Sequence, residues 1–291
     1  MIRSWERLLP SFLFVCALIT VGTTLTVISI LGTESWHFFQ KVPLADFFFQ
    51  SRWEPLLEPK SFGVWPLVCG TFIVVAGAAA IAVPLGLLIA IYLSEYAHKR
   101  FRDLLKPVLE ILAGIPTVVY GYFALTFVTP ILRIFWPNTQ IFNAASASIV
   151  VGIMILPMMA SLCDDALTNI SKVLREGAYA LGAHSFEVIF GVVIPAAFSR
   201  IFAAFILAVS RAVGETMAVA LAAGSTPKLT LNPLESVQTM TGYIVQVSMG
   251  DTPAGGVEYL TAFTVAALLF LITFVFNMAG AWIMSKGFKR L

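Results

Sequence analysis

The chain is poor in charged residues and in the side chains from which enzyme and metal sites are usually built. Charged residues make up 12% of its 291 positions, about half of the share usual in soluble domains. Its three cysteines and three histidines show no CxxC or Cys/His spacing, so we expect no disulfide and no metal site. A P-loop, the HExxH and GxSxG motifs and a dinucleotide-binding GxGxxG are also lacking. These absences argue against a soluble enzyme and against a nucleotide site in this chain.

Basic residues are too few for nucleic-acid binding. The net charge is only +2, and no basic stripe with interleaved aromatic residues runs along the chain. We therefore expect no nucleic-acid partner.

Hydrophobic residues, in contrast, make up 59% of the chain. A membrane helix needs about 20 mostly apolar residues, and six segments of the chain meet this requirement. The third of them contains Pro116 and Pro130, so we expect it to kink or partly re-enter. The first segment is longer than the apolar region of a signal peptide, and we expect it to be retained. The sequence predicts an all-α, polytopic membrane protein in lipid, with about six transmembrane helices at 10–31, 67–93, 105–135, 144–162, 201–223 and 260–284.

The distribution of Lys and Arg predicts the orientation of these spans. Of the 18 basic residues, five fall on one side of the predicted spans, twelve fall on the other and Arg211 lies inside a span. We therefore expect both termini to be cytoplasmic. The twelve are Arg3, Arg7, Lys99, Arg100, Arg102, Lys106, Lys172, Arg175, Arg200, Lys286, Lys289 and Arg290.

A polar segment, residues 164–199, separates the fourth and fifth spans on the predicted cytoplasmic side. Short helices are predicted at 166–174 and 176–181 because Gly182 suits a left-handed helix end. Two short helices at an angle form a knob that fits a groove of a partner. At the ends of the segment, Asp164 and Asp165 are expected near a helix start. Pro195 suits the first turn of the next helix.

Two opposite charges, Arg211 and Glu215, fall within the fifth apolar span. Their spacing of four predicts that they share one helix face, and charges inside a bilayer normally face a watery path or the bundle interior. In one interpretation Arg211 binds a phosphate-like anion and Glu215 neutralises it when the path is empty. In the other they are a structural pair. Glu110, in the third span, is expected to pair with Lys106 at the membrane interface.

The long external segments, 32–66 and 225–259, are polar and rich in turn residues, and the first contains Phe47, Phe48, Phe49 and Trp53. We expect them to fold against the membrane surface. They either receive an extracytoplasmic partner or act as simple connectors.

Residues 176–195 read EGAYALGAHSFEVIFGVVIP. This string resembles the cytoplasmic EAA loop of ABC-importer permeases, E-A-A-x3-G-x9-I-x-L-P, with which such a permease docks its ATPase. The departures are small: Gly for Ala, Val for Ile and Ile for Leu. The resemblance assigns ATPase coupling to Glu176, Gly177, Ala178, Gly182 and Pro195.

Two further strings, AGIPTVVYG at 113–121 and SRAVGETMAV at 210–219, are similar to permeases of the bacterial phosphate-specific ABC importer. GETMAV with the AAGSTP that follows is closer to its C-type than to its A-type subunit. The resemblance implies the type I permease fold of ABC importers, with a first helix and external loop at 1–66, a permease domain at 67–291 and the coupling loop at about 164–199.

The same resemblance implies a phosphate importer of the bacterial inner membrane in which this chain carries half of the path. Its partners would be a homologous A-type permease, two cytoplasmic ATPase subunits and a periplasmic or lipid-anchored phosphate-binding protein. Phosphate passage would involve Arg211 and Glu215. The chain itself would hold no cofactor, since ATP and Mg²⁺ belong to the ATPase, and it would not be an enzyme.

Three other interpretations compete with this one. The cargo is another oxyanion, such as molybdate or sulfate, which Arg211 would serve equally well. Alternatively, the chain is a secondary transporter or channel that needs no ATPase, and the EAA-like string is an accident. The third, an intramembrane enzyme, needs a paired nucleophile and base or a metal cluster within the spans, which the sequence does not show.

Overall fold

The computed structural model describes residues 2–250, 252–253 and 255–287, and the side chains from residue 9 to residue 283 within these ranges. Lys289 and Arg290, which the orientation argument used, lie outside the described residues, as do the side chains of Arg3, Arg7 and Lys286. The architecture is helical apart from one small hairpin. In chain order the elements are α1 Ile2–Lys41, α2 Leu44–Phe49, β1 Trp53–Glu54, β2 Ser61–Phe62, α3 Trp65–Ile91, α4 Lys99–Ala113, α5 Thr117–Phe123, α6 Thr129–Phe135, α7 Ala144–Thr168, α8 Lys172–Ala180, α9 Ser185–Val188, α10 Ile194–Val213, α11 Met217–Ala222, α12 Met240–Met249 and α13 Val257–Gly287.

Wider π-helical turns extend three of these helices. The segment Tyr92–Tyr96 continues α3, Ala124–Val128 joins α5 to α6, and Ile189–Val193 joins α9 to α10. Six helical segments in the described part of the chain are long and apolar enough to cross a membrane, which confirms the predicted fold class. They are Leu9–Lys41, Trp65–Tyr96, Thr117–Phe135, Ala144–Thr168, Ser185–Val213 and Val257–Ile283.

The third predicted span, 105–135, is wrong as a single helix. The chain leaves helical geometry after Ala113 and resumes it at Thr117, so α4 is a separate amphipathic helix and the apolar segment 117–135 is the third span. Pro116 explains the break, because it has no N–H to donate and disfavours helical geometry at the residue before it. Pro116 therefore divides this region rather than merely kinking it.

The fifth predicted span, 201–223, is shifted. Its helix already begins at Ser185 and ends at Val213, and the short helix α11 follows only after a break at 214–216. The apolar composition indicates a span in this region, but it does not indicate the residues at which the helix begins and ends.

Helix α7 is the centre of the bundle and packs along α3. Small residues allow the two backbones to approach closely. A Cβ at Gly86 of α3 would lie 2.7 Å from Cγ of Met159, and one at Gly77 would lie 2.5 Å from Oγ of Ser148. In contrast, the apolar part of α1 is exposed and α1 contacts the bundle along α13.

A second, aromatic core lies where α1 ends. Phe47 of α2 and Trp53 of β1 are buried here against Tyr243 of α12, with the Trp53 and Tyr243 rings 5.0 Å apart. The external segment 32–66 therefore folds on the protein's own helices. Of the four aromatics expected at the membrane surface, Phe47 and Trp53 are buried, Phe48 is 38% exposed and Phe49 alone is largely exposed.

Candidate functional site

The polar segment between the fourth and fifth spans contains one short helix, not two. Helix α7 continues to Thr168, and α8 then runs unbroken from Lys172 to Ala180. The side chain of Ser171 accepts a hydrogen bond from the N–H of Val173 at 3.3 Å and so caps the start of α8. The prediction of two short helices, at 166–174 and 176–181, is therefore wrong, because residues 166–168 belong to α7 and a single helix, α8, follows.

The end of α8 has the predicted geometry. Gly182 has a φ of +87°, and its N–H donates to the carbonyl of Tyr179 at 2.9 Å. The N–H of Ala183 donates to the carbonyl of Ala178 at 3.2 Å. These paired bonds form a Schellman end, which turns the chain sharply toward Ser185.

Helix α8 and the turn after it present apolar side chains to solvent. Leu181 is 90% exposed, and Val173 and Phe186 are also largely exposed. Glu176 and Gly177 are exposed and Ala178 is half-buried. Glu176 makes no ion pair or side-chain hydrogen bond within the described residues. An apolar patch of this kind on a polar loop is typical of a protein-binding surface.

Pro195 lies in the first turn of α10, as predicted. Helix α10 continues from the π turn Ile189–Val193 within the helical segment Ser185–Val213, so the proline follows helical residues rather than a loop. A proline inside a helix clashes with the carbonyl four residues earlier, here Gly191, and a widened turn at that place relieves the clash. Pro130 follows the π turn Ala124–Val128 in the same way.

Arg175 anchors α8 to the bundle. Its Nη1 lies 3.0 Å from Oε1 of Glu95, in the π turn that ends the second span. Its Nη2 donates to the carbonyl of Leu167 at 2.6 Å, near the end of α7. This contact was not predicted from the sequence, because Arg175 and Glu95 are 80 positions apart.

Asp164 and Asp165 lie in the last turn of α7, so their predicted place near a helix start is wrong. Acidic residues there oppose the helix dipole, and two cations of α4 compensate them. Asp164 is fully buried, with its Oδ2 2.8 Å from Nη2 of Arg102 and 3.0 Å from Nζ of Lys106. Lys106 also lies 2.8 Å from Oδ1 of Asp165. Burial acts to lower the pKa of Lys106, but the hydrogen bonds to Asp165 and Asp164 outweigh it and raise the pKa above its ordinary value.

Arg211 and Glu215 do not share a helix face, contrary to the prediction. Helix α10 ends at Val213, so Glu215 lies in the break that follows. Glu215 is buried, and its Oε1 accepts a hydrogen bond from the N–H of Ala218 at 3.1 Å, at the start of α11. No ion pair joins Arg211 to any carboxylate in the part of the chain that the structure describes.

Arg211 instead lines a cavity of about 240 Å³ together with Glu110 of α4. Pro157 and Ser161 of α7 form part of its wall. The expected pairing of Glu110 with Lys106 is wrong, because Lys106 is bound to the two aspartates. The structure therefore brings Arg211 together with a carboxylate from another helix, which sequence spacing did not indicate.

Comparisons with known proteins give a consistent family. The model of the family described as binding-protein-dependent transport system inner membrane component matches residues 82–286. A protein of Bacillus subtilis named as a probable ABC transporter permease, YqgH, is 34% identical and the match covers 93% of this chain and 88% of the relative. The phosphate transport system permease protein PstC of Mesorhizobium japonicum is 31% identical, over 79% of this chain and 75% of the relative.

Solved structures of ABC importers share the fold. A chain of the bacterial alginate ABC transporter, solved with its alginate-bound periplasmic protein, superposes with a TM-score of 0.63 at 15% identity, covering 95% of this chain and 91% of that one. A chain of the MetNI methionine ABC transporter in an inward-facing conformation superposes with a TM-score of 0.58 at 19% identity, covering 77% and 94%.

Proposed function

The chain belongs to the family of binding-protein-dependent transport system inner membrane components, and we propose that it is a permease subunit of an ATP-driven importer of inorganic phosphate. The observation that carries this function is the exposed apolar end of α8, with Leu181 almost fully in solvent on a loop between two spans. A cytoplasmic ATPase that docks there would exert force on the bundle. Relatives named as phosphate transport permeases supply the cargo, and Arg211 supplies a group that suits it.

In this proposal the chain carries half of the path and catalyses no covalent step. Members of this family are channel-like subunits whose ATPase is a separate partner. We assign ATP and Mg²⁺ to two cytoplasmic ATPase subunits, one of which binds α8 and the turn at Gly182. A homologous A-type permease would complete the path, and an extracytoplasmic phosphate-binding protein would deliver the anion to the outer loops.

The coupling role requires α8 to be cytoplasmic. The positive-inside distribution of basic residues supports this side. A cysteine introduced in place of Ala183 tests it in intact cells, in a variant whose native cysteines are replaced. A membrane-impermeant thiol reagent should label this cysteine only after the membrane is opened. Labelling in intact cells would place α8 outside and refute the ATPase-docking role.

Arg211 is proposed to bind the passing anion, and Glu215 to shape the turn that follows the helix of Arg211. The test is uptake of radiolabelled phosphate by cells that carry Arg211→Ala, Arg211→Lys or the control Arg100→Ala, which removes an exposed arginine of α4 that does not line the cavity. Arg211→Ala should abolish uptake at a normal amount of complex, and Arg211→Lys should retain a part of it. Normal uptake by Arg211→Ala would show that Arg211 is structural.

The cargo is tested in the same assay by competition. Excess unlabelled phosphate should suppress uptake, and excess sulfate or molybdate should leave it unchanged. Suppression by sulfate or molybdate to the same extent would replace phosphate by a broader oxyanion class.

A further inference from the structure

We infer that Glu110, and not Glu215, is the carboxylate that neutralises Arg211 when the path is empty. This inference rests on the proposed function, because it assumes that Arg211 faces the anion path. It assigns to α4, which the family resemblance left without a role, the part of carrying the counter-charge.

Glu215 is already occupied by the fold. It is buried, its Oε1 accepts the N–H of Ala218, and its backbone carbonyl accepts the hydroxyl of Thr241 at 2.8 Å. Because α10 ends between Arg211 and Glu215, the two side chains are not held one turn apart on a common helix. A carboxylate that caps α11 stabilises the break and is poorly placed to exchange partners during transport.

Glu110 and Arg211 line the same cavity from two different helices, α4 and α10. The wall between them is formed by α7 near Pro157, which lies about halfway along α7 between Ala144 and Thr168. Charges at such a depth are expensive in lipid and are normally paired or in water. Both side chains are exposed on this chain, so the cavity opens at the surface of the bundle, where the proposed partner permease would close the path.

Opposite charges that line one small cavity attract each other, and a partner permease that covers the cavity would strengthen this attraction by excluding water. An oxyanion that enters would take the place of Glu110 beside Arg211, and the return of Glu110 would help to release the anion. In this proposal Arg211 thus faces a negative charge in both states.

The position of Glu110 is controlled from the cytoplasmic end of its helix. The salt bridges of Arg102 and Lys106 with Asp164 fix the start of α4 to the end of α7. At the other end the break before Pro116 separates α4 from the third span. Helix α4 is thus attached to the part of α7 that Arg175 joins to α8.

The first test measures phosphate uptake against phosphate concentration in cells with the complete transporter, normalised to the amount of complex. Glu110→Gln should lower the maximal rate about tenfold or more without raising KM, because the anion no longer has a competitor for Arg211 and leaves slowly. Glu110→Asp should restore a large part of the rate. The matched control is Asp103→Asn, which removes an exposed carboxylate of the same helix that does not line the cavity.

Glu215→Gln separates the two carboxylates. Glutamine keeps an oxygen that accepts the N–H of Ala218, so its loss of rate should be smaller than that of Glu110→Gln. A normal rate for Glu110→Gln together with a severe loss for Glu215→Gln would overturn the inference. If Arg211→Ala itself transports normally, the proposed path fails first, and this outcome is distinct from a loss in Arg211→Ala with a normal Glu110→Gln.

A second measurement does not depend on transport. In a variant without the native cysteines, Glu110→Cys combined with Arg211→Cys should form an intramolecular cross-link with a short bifunctional thiol reagent, in the assembled complex. Asp103→Cys with Arg211→Cys should not. Equal cross-linking of the two pairs, or none for the first, would contradict the juxtaposition on which the inference rests.

Discussion

The substitution Asp164→Asn tests the salt bridges that join α4 to α7. Asp164 is 0% exposed, while its partners Arg102 and Lys106 are 24% and 31% exposed. The change Asp164→Asn keeps the size of the side chain and removes its charge. Both cations then lose a buried counter-charge, and Lys106 keeps only Asp165. Asp165→Asn is the natural control, since Asp165 is 55% exposed and contacts the same lysine.

The two substitutions should differ several-fold in cost. Breaking a buried pair by removing one partner costs about 3–5 kcal/mol, and the partial exposure of both cations reduces this to about 2–3 kcal/mol by solvent screening. The exposed pair of Asp165 contributes less than about 1 kcal/mol. For a chain of this size, roughly 2–4 °C of midpoint shift accompanies each kcal/mol, so Asp164→Asn should lower the midpoint by roughly 4–12 °C.

Thermal unfolding of the purified complex in one lipid composition and at one heating rate gives the comparison, with each variant measured against the parent chain. The expected order is a clear loss for Asp164→Asn and a small one for Asp165→Asn. Equal shifts, or a larger shift for Asp165→Asn, would refute the reasoning that burial of the carboxylate decides the strength of this attachment.

Three further predictions concern the loops. Gly182→Ala should speed hydrogen exchange of α8 by roughly tenfold, because a left-handed residue with a Cβ costs about 1–2 kcal/mol. Gly177→Ala, whose added Cβ meets nothing within 4 Å, should slow exchange by favouring the helix, and the opposite order would contradict the Schellman end. Leu181→Asp should abolish co-purification of the ATPase and leave the thermal midpoint of the permease unchanged, since the side chain of Leu181 is exposed to solvent. Co-purification of the ATPase with this variant would exclude the apolar patch as the docking surface. Hydrogen bonding to Lys228 lowers the pKa of Glu235, so this pair stabilises the loop at 225–239 above the ordinary pKa of a glutamate and stops doing so as the pH falls through the lowered pKa. Pepsin should therefore cleave this loop faster as the pH falls below about 4, and Glu235→Gln should show no such step.

The number and composition of the membrane spans were predictable from the sequence because hydropathy is a property of a window of residues. Helix ends depend on single residues and their surroundings. Pro116 divides the third predicted span, whereas Pro130 and Pro195 are accommodated inside helices by a preceding π turn. The sequence has a proline in all three places and does not distinguish a broken helix from a continuous one. Each outcome depends on whether the neighbouring helices fill the space that a break in the helix would leave.

The local geometry of the loop between the fourth and fifth spans was predictable at one point and not at others. Gly182 takes the predicted left-handed conformation because the requirement is local to one residue. The role of Arg175 was not predictable, because its partners Glu95 and Leu167 come from two other helices. The same holds for Asp164, whose position near the end of an apolar run is compatible with either end of a helix.

The charges within the spans show most clearly what spacing alone leaves undecided. Arg211 and Glu215 are four residues apart, and in a continuous helix this would make them neighbours. The chain breaks at Gly214, so the buried carboxylate serves the start of the next helix while the arginine lines a cavity with Glu110, about a hundred positions earlier. A helix that continued beyond Val213 would have kept the first pair on one face. The carboxylate proposed as the counter-charge of Arg211 therefore lies on a separate helix, α4, and was not indicated by its spacing in the sequence.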